Sequence, residues 1–107
     1  MEQGEIWWAR LEGNAGNRPV VILTRSGIIP RLNDVTIAPL TRSVRDIPTH
    51  VRVTRSDGVY SDSAVNLDNI QTIPKSAIFR KIVRLRQEKM DEGVEGLKGS
   101  WLRTLDW

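Results

Sequence analysis

A chain of 107 residues and 12.2 kDa, with 39% apolar and 27% charged residues, fits one globular domain, 1–107, around one core. No apolar run approaches the ~20 residues that span a bilayer, MEQGEIWWAR does not read as a secretory signal, and the absence of cysteine excludes disulfides, thiolate nucleophiles and Cys-based zinc sites. The net charge of +3 hides a basic middle, because residues 14–86 carry +7 while residues 1–13 and 87–107 carry −2 each.

These features predict a cytoplasmic protein that spans no membrane. Arginine outnumbers lysine twelve to four. Its planar fork binds phosphate in bidentate fashion and stacks on bases, so a polyanionic partner is favoured over the rival reading of a solvated surface.

Apolar runs of strand length, separated by Gly, Asn, Asp, Pro and Ser, recur from residue 5 to residue 85 and predict a mainly β protein. Glu5–Leu11 and Pro19–Thr24 are the first two expected strands, joined by the loop EGNAGNR. Val20 to Leu23 are apolar on both faces, which places the second strand centrally. Further strands are expected at Asp34–Thr41, His50–Thr54, Ala64–Ile70 and Lys81–Leu85. From Gln87 the period changes: Met90, Val94, Leu97 and Trp101 form one stripe of an amphipathic helix. Gly93, Gly96 and Gly99 each cost that helix about 1 kcal/mol, so it needs tertiary packing. Trp7, Trp8, Trp101 and Trp107 are large apolar surfaces for so small a core, and some are expected at a subunit interface.

One histidine and no tight cluster of acids make poor ligands for a catalytic metal, so neither metal nor cofactor is expected. RNA cleavage by such a chain would rely on the substrate's own 2′-hydroxyl as nucleophile. The protein would then supply positive and hydroxyl donors for the developing phosphorane charge. Two segments look suited to hold such groups. In Asn17-Arg18-Pro19, proline keeps the preceding residue extended and the next residues begin a buried strand, which gives Arg18 a fixed base. In Ala38-Pro39-Leu40-Thr41, proline interrupts a good strand, which suggests an edge or bulge that re-aims Thr41 and Arg42. The competing reading of each is a proline-punctuated turn beside a surface arginine.

The succession GEIWWARL, NRPVVIL, DVTIAPLT, IPTHVRV and SDSAVNLDNIQTI resembles the motif order of the MazF/PemK toxins and spans about residues 4 to 73. No single piece is specific; five in the right order are. The resemblance implies an SH3-like, CcdB/MazF-type β-barrel with a C-terminal helix. It also implies a homodimer whose groove binds single-stranded RNA, and a cognate antitoxin with an acidic segment that occupies the same groove. The implied activity is that of a toxin endoribonuclease, or mRNA interferase, which leaves 2′,3′-cyclic phosphate and 5′-hydroxyl ends without metal. The family's catalytic arginine and threonine match Arg18 and Thr41.

Asn17, Arg25, Arg42, Arg45, Asn66, Asp68 and Asn69 are the expected RNA contacts, against the rivals of solvated charge for the arginines and turn-stabilising bonds for Asn66 and Asp68. His50 begins the HVRV strand at a position with no catalytic counterpart, and a structural or surface role is expected for it. Two alternatives remain at this point: a CcdB-like toxin of the same fold that poisons a topoisomerase, and a non-catalytic RNA-binding barrel.

Overall fold

Apolar side chains on both faces place the second strand in the middle of the molecule. The computed structural model describes residues 1–13 and 16–93. Its strands are Glu5–Leu11 (β1), Gly16–Ile22 (β2), Asp34–Thr41 (β3), His50–Val53 (β4), Ser63–Asn66 (β5), Gln71–Pro74 (β6) and Ile78–Arg84 (β7). Residues 87–93 are helical (α1). All pairings are antiparallel, in the order β4-β5-β3-β2-β1-β7, with β6 alongside β3. Among the described residues the chain is therefore mainly β, followed by a helix on its C-terminal side, as expected.

β2 separates two apolar clusters. Val20 and Ile22 join Ala9, Val35, Ile37 and Ile73 on one side, and Val21 faces Ile6, Leu40, Val53 and Val65 on the other. The second cluster is where the sheet curls upon itself, because residues of β4 and β5 at one end meet Ile82 and Val83 of β7 at the other. Gly58 seals this closure. Its φ of +101° is a left-handed conformation, and a Cβ there would lie 2.6 Å from Cγ2 of Val83. Asp57 reinforces it from the same turn, 3.3 Å from Nη2 of Arg86 just beyond β7.

Several boundaries differ from the sequence expectation. β2 starts at Gly16, not Pro19: Gly16 has a φ of +59° and pairs with Leu11 at the end of β1. The strand expected over 64–70 ends at Asn66. There the side-chain oxygen of Asn66 accepts the Asp68 N–H at 3.1 Å and starts a 3-10 turn, Leu67–Asn69, before β6 forms against β3. The last strand begins at Ile78, and Ser26–Arg31 is a 3-10 segment that sends Ile29 into the core.

Pro39 does not mark an edge. It is buried in the central strand β3, paired with Val20 on one side, at the step where the other side changes partner from β6 to β5. Residues 38 and 39 have no ladder partner on that side, so the missing N–H falls where the sheet turns a corner.

Met90 of α1 packs against the second cluster, and Gly93 lies close enough that a Cβ would be 3.9 Å from Leu67 and Val51. Val94, Leu97, Trp101 and Trp107, together with Gly96 and Gly99, lie outside the described residues.

Candidate active site in a basic cleft

The proline-bounded ends of β2 and β3 meet at one cleft of about 430 Å³, lined by Asn17, Arg18, Thr41 and Arg42 among others. Arg18 is held on both flanks. It pairs with Ala9 of β1, and Val20 to Ile22 after it are buried, so the half-buried Arg18 stands on backbone that cannot shift without opening the core. Thr41 is the last residue of β3 and pairs with Ala64. Its Oγ1 accepts the Ser43 N–H at 3.1 Å, a local turn that fixes the side chain. Accepting that bond uses one lone pair and leaves the hydroxyl hydrogen to donate.

Among the described residues lining the cleft there is no Asp, Glu or His, whereas Arg18 and Arg42 are both present. Positive charge on a mixed polar and apolar lining suits an anionic ligand that also carries flat apolar groups. Among the described residues no three His, Asp or Glu side chains gather as metal ligands, and no helix is long and apolar enough to cross a membrane.

The other expected contacts lie elsewhere. Arg25 is exposed at the start of the 3-10 segment, and Arg45 is exposed in the β3–β4 connection. Asn66 and Asp68 make turn bonds, the latter accepting from Oγ1 of Thr49 at 2.7 Å, and Asn69 is exposed beside them. His50 has a structural contact: its Nδ1 accepts the Arg45 N–H at 3.2 Å and ties down the loop that follows Thr41.

Sequence reasoning missed the cleft's aromatic and serine lining: Trp8, Tyr60, Ser61 and Ser63. Trp8 was legible in principle, since the antiparallel β1–β2 register pairs it with Pro19, next to Arg18. Tyr60 had a weaker signal, an aromatic inside the polar run SDGVYSD.

Two charged groups outside the cleft hold its walls. Burial alone would raise the pKa of Glu5, but hydrogen bonds from Lys81, Trp7 and the Glu2 N–H outweigh it and hold the carboxyl at about 2, against 4.5 for a free glutamate. Lys81 Nζ is 2.7 Å away, which joins β1 to β7. For Asp57, burial again pushes upward and is overcome by the Thr54 N–H and hydroxyl and by the charges of Lys89 and Arg86, so its pKa falls below the ordinary value.

A curled antiparallel sheet whose described residues form one cleft carrying Arg18 and Arg42 defines a small β-barrel protein with a basic cleft. The PemK-like, MazF-like toxins of type II toxin–antitoxin systems match residues 2–100, and the chain belongs to that family. It is 38% identical over 101 residues to "Probable endoribonuclease MazF2" of Mycobacterium tuberculosis, covering 94% of this chain and 97% of that one. "Endoribonuclease MazF3" of the same species is 39% identical over 90 residues, with 84% and 85% covered. Among solved structures, the Mycobacterium tuberculosis toxin MazF-mt6 superposes with a TM-score of 0.83 at 36% identity, over 91% of this chain and 95% of that one. A mycobacterial endoribonuclease solved in complex with its cognate antitoxin shares the fold, with a TM-score of 0.81 at 23% identity and 94% of each chain covered.

Proposed function

We propose that the chain is a toxin endoribonuclease that cuts single-stranded RNA at the Arg18–Thr41 cleft by transesterification. The carrying observation is that Arg18 and Thr41, held on neighbouring paired strands, line one cleft to which no described residue brings a carboxylate. The names of the similar relatives support the activity and disfavour the CcdB-like alternative.

In the reaction the RNA 2′-oxygen forms a bond to phosphorus, the bond from phosphorus to the 5′-oxygen breaks, and the 2′-proton passes to water. The departing 5′-oxygen takes a proton from solvent, which leaves a 2′,3′-cyclic phosphate and a 5′-hydroxyl. Arg18 neutralises the phosphorane charge, and Thr41 donates to a phosphate oxygen. Stabilisation of charge by the guanidinium, not proton transfer, is the contribution of Arg18.

Asn17 and Arg42 hold the RNA within the cleft. Arg25, Arg45, Asn66, Asp68 and Asn69 contact it farther along. A mycobacterial endoribonuclease is solved in complex with its cognate antitoxin, and a cognate antitoxin is likewise the partner of this chain, with an acidic segment that complements its basic middle. The working form is a homodimer of a single-domain chain in the cytoplasm.

The test is incubation with an unstructured RNA in excess chelator. The wild-type protein yields discrete fragments and Arg18→Ala does not. Intact RNA with wild type would overturn the proposal.

A further inference from the structure

We propose that Tyr60 is the platform on which a nucleobase beside the scissile phosphate stacks, and so a residue that helps to set which RNA is cut. The inference rests on the endoribonuclease reading and deepens it. Among the described residues Tyr60 is the most exposed large apolar or aromatic side chain, at 68%, and it lines the same cleft as Arg18 and Thr41. Exposed aromatic surface gains nothing for folding. Here it is held on a backbone fixed from both sides.

Before Tyr60, Gly58 is locked against Val83 and Val59 is buried in the core cluster where the sheet closes. The Tyr60 carbonyl accepts Nε of Arg55 at 3.1 Å. After it, the Ser61 carbonyl accepts the hydroxyl of buried Ser63, which pairs with Val53 in the β4–β5 ladder. The main chain is therefore pinned while the ring is left to solvent. Rigid backbone under a free aromatic face is what base stacking requires, and the two cleft arginines would hold the adjoining phosphates. Such a platform accepts every base but rewards the better stackers, giving a preference without hydrogen-bond readout.

The experiment is a double-mutant cycle between protein and RNA, using a short unstructured RNA containing one mapped cleavage site. Each nucleotide flanking that site is replaced in turn by an abasic residue, and kcat/KM is measured for wild type, Tyr60→Phe and Tyr60→Ala. Stacking predicts that Tyr60→Phe stays within about threefold of wild type. Tyr60→Ala and one abasic position should each lose about 5- to 150-fold, the range set by stacking of one base. Together they should lose no more than either alone.

Additive losses, or none at either flanking position, would overturn the stacking assignment while leaving the nuclease intact. A wild-type protein that cuts no RNA at all would instead remove the parent reading, and the stacking role with it. Circular dichroism of Tyr60→Ala, expected to match wild type, separates a lost contact from a lost fold.

Discussion

Arg18 and Thr41 stand two residues beyond the Val20–Pro39 pair, in the same direction along neighbouring antiparallel strands. The register that orders the core therefore also brings the guanidinium and the hydroxyl to one cleft. A slip of one residue would reverse the faces of Val20, Val21 and Ile22, which the two apolar clusters forbid.

Replacing Arg18 by alanine should lower cleavage by about 10²–10³, the usual cost of one preorganised donor to a developing oxyanion. Stability should change little, because the side chain is half-buried and takes part in none of the described ion pairs. Single-turnover kinetics beside thermal melts would distinguish this from global unfolding, which would show as a large fall in Tm.

Thr41→Ser keeps the hydroxyl that accepts the Ser43 N–H, whereas Thr41→Val removes it at nearly constant volume. Serine should retain most of the activity. Valine should lose roughly 10- to 100-fold through the missing donor. Equal rates for the two variants would show that the hydroxyl takes no part.

Gly58→Ala should destabilise the fold by about 1–3 kcal/mol, because it combines a left-handed φ with a Cβ driven into Val83. Urea denaturation reads the loss. Since Tyr60 follows on the same turn, the variant should also cleave RNA more slowly under conditions where it remains folded. Wild-type stability would mean that the sheet closure at Val83 is looser than the packing indicates.

Glu5 makes the fold sensitive to acid. Its folded carboxyl, held at about 2, binds a proton more weakly than the unfolded chain does. The stabilisation is complete above about pH 4.5 and is lost as the pH falls from there toward 2. Lys81→Ala removes the 2.7 Å partner and should cost about 1–3 kcal/mol at neutral pH, with acid unfolding beginning at higher pH. Tryptophan fluorescence during acid titration follows it directly, since Nε1 of Trp7 donates to the same carboxylate at 3.0 Å. An unchanged acid midpoint would contradict the assigned role of the pair.

Much of this architecture was legible from residue types. β3 is found at Asp34–Thr41 as expected, and the double apolar face of Val20 to Ile22 located the central strand. What escaped were features set by side-chain bonds or left-handed turns. The Asn66 side chain bonds its own backbone and stops a strand that β propensity alone would continue to Ile70. Gly16 and Gly58 act through positive φ, which composition does not reveal. In the cleft, Arg18 and Thr41 are the residues the sequence singles out for the proposed chemistry, because proline marks both segments and because the motif order resembles a family. Trp8 and Tyr60 were not, since their part in the cleft comes from the curl of the sheet and not from local pattern.

The account is tested most directly with one RNA made in two forms, all-ribose and with a single 2′-deoxyribose at the nucleotide 5′ to a mapped cut. In excess chelator, the all-ribose strand should give fragments whose masses carry a 2′,3′-cyclic phosphate and a 5′-hydroxyl, and the substituted strand should stay intact at that position. Cleavage of the substituted strand, or fragments bearing 5′-phosphates, would contradict it.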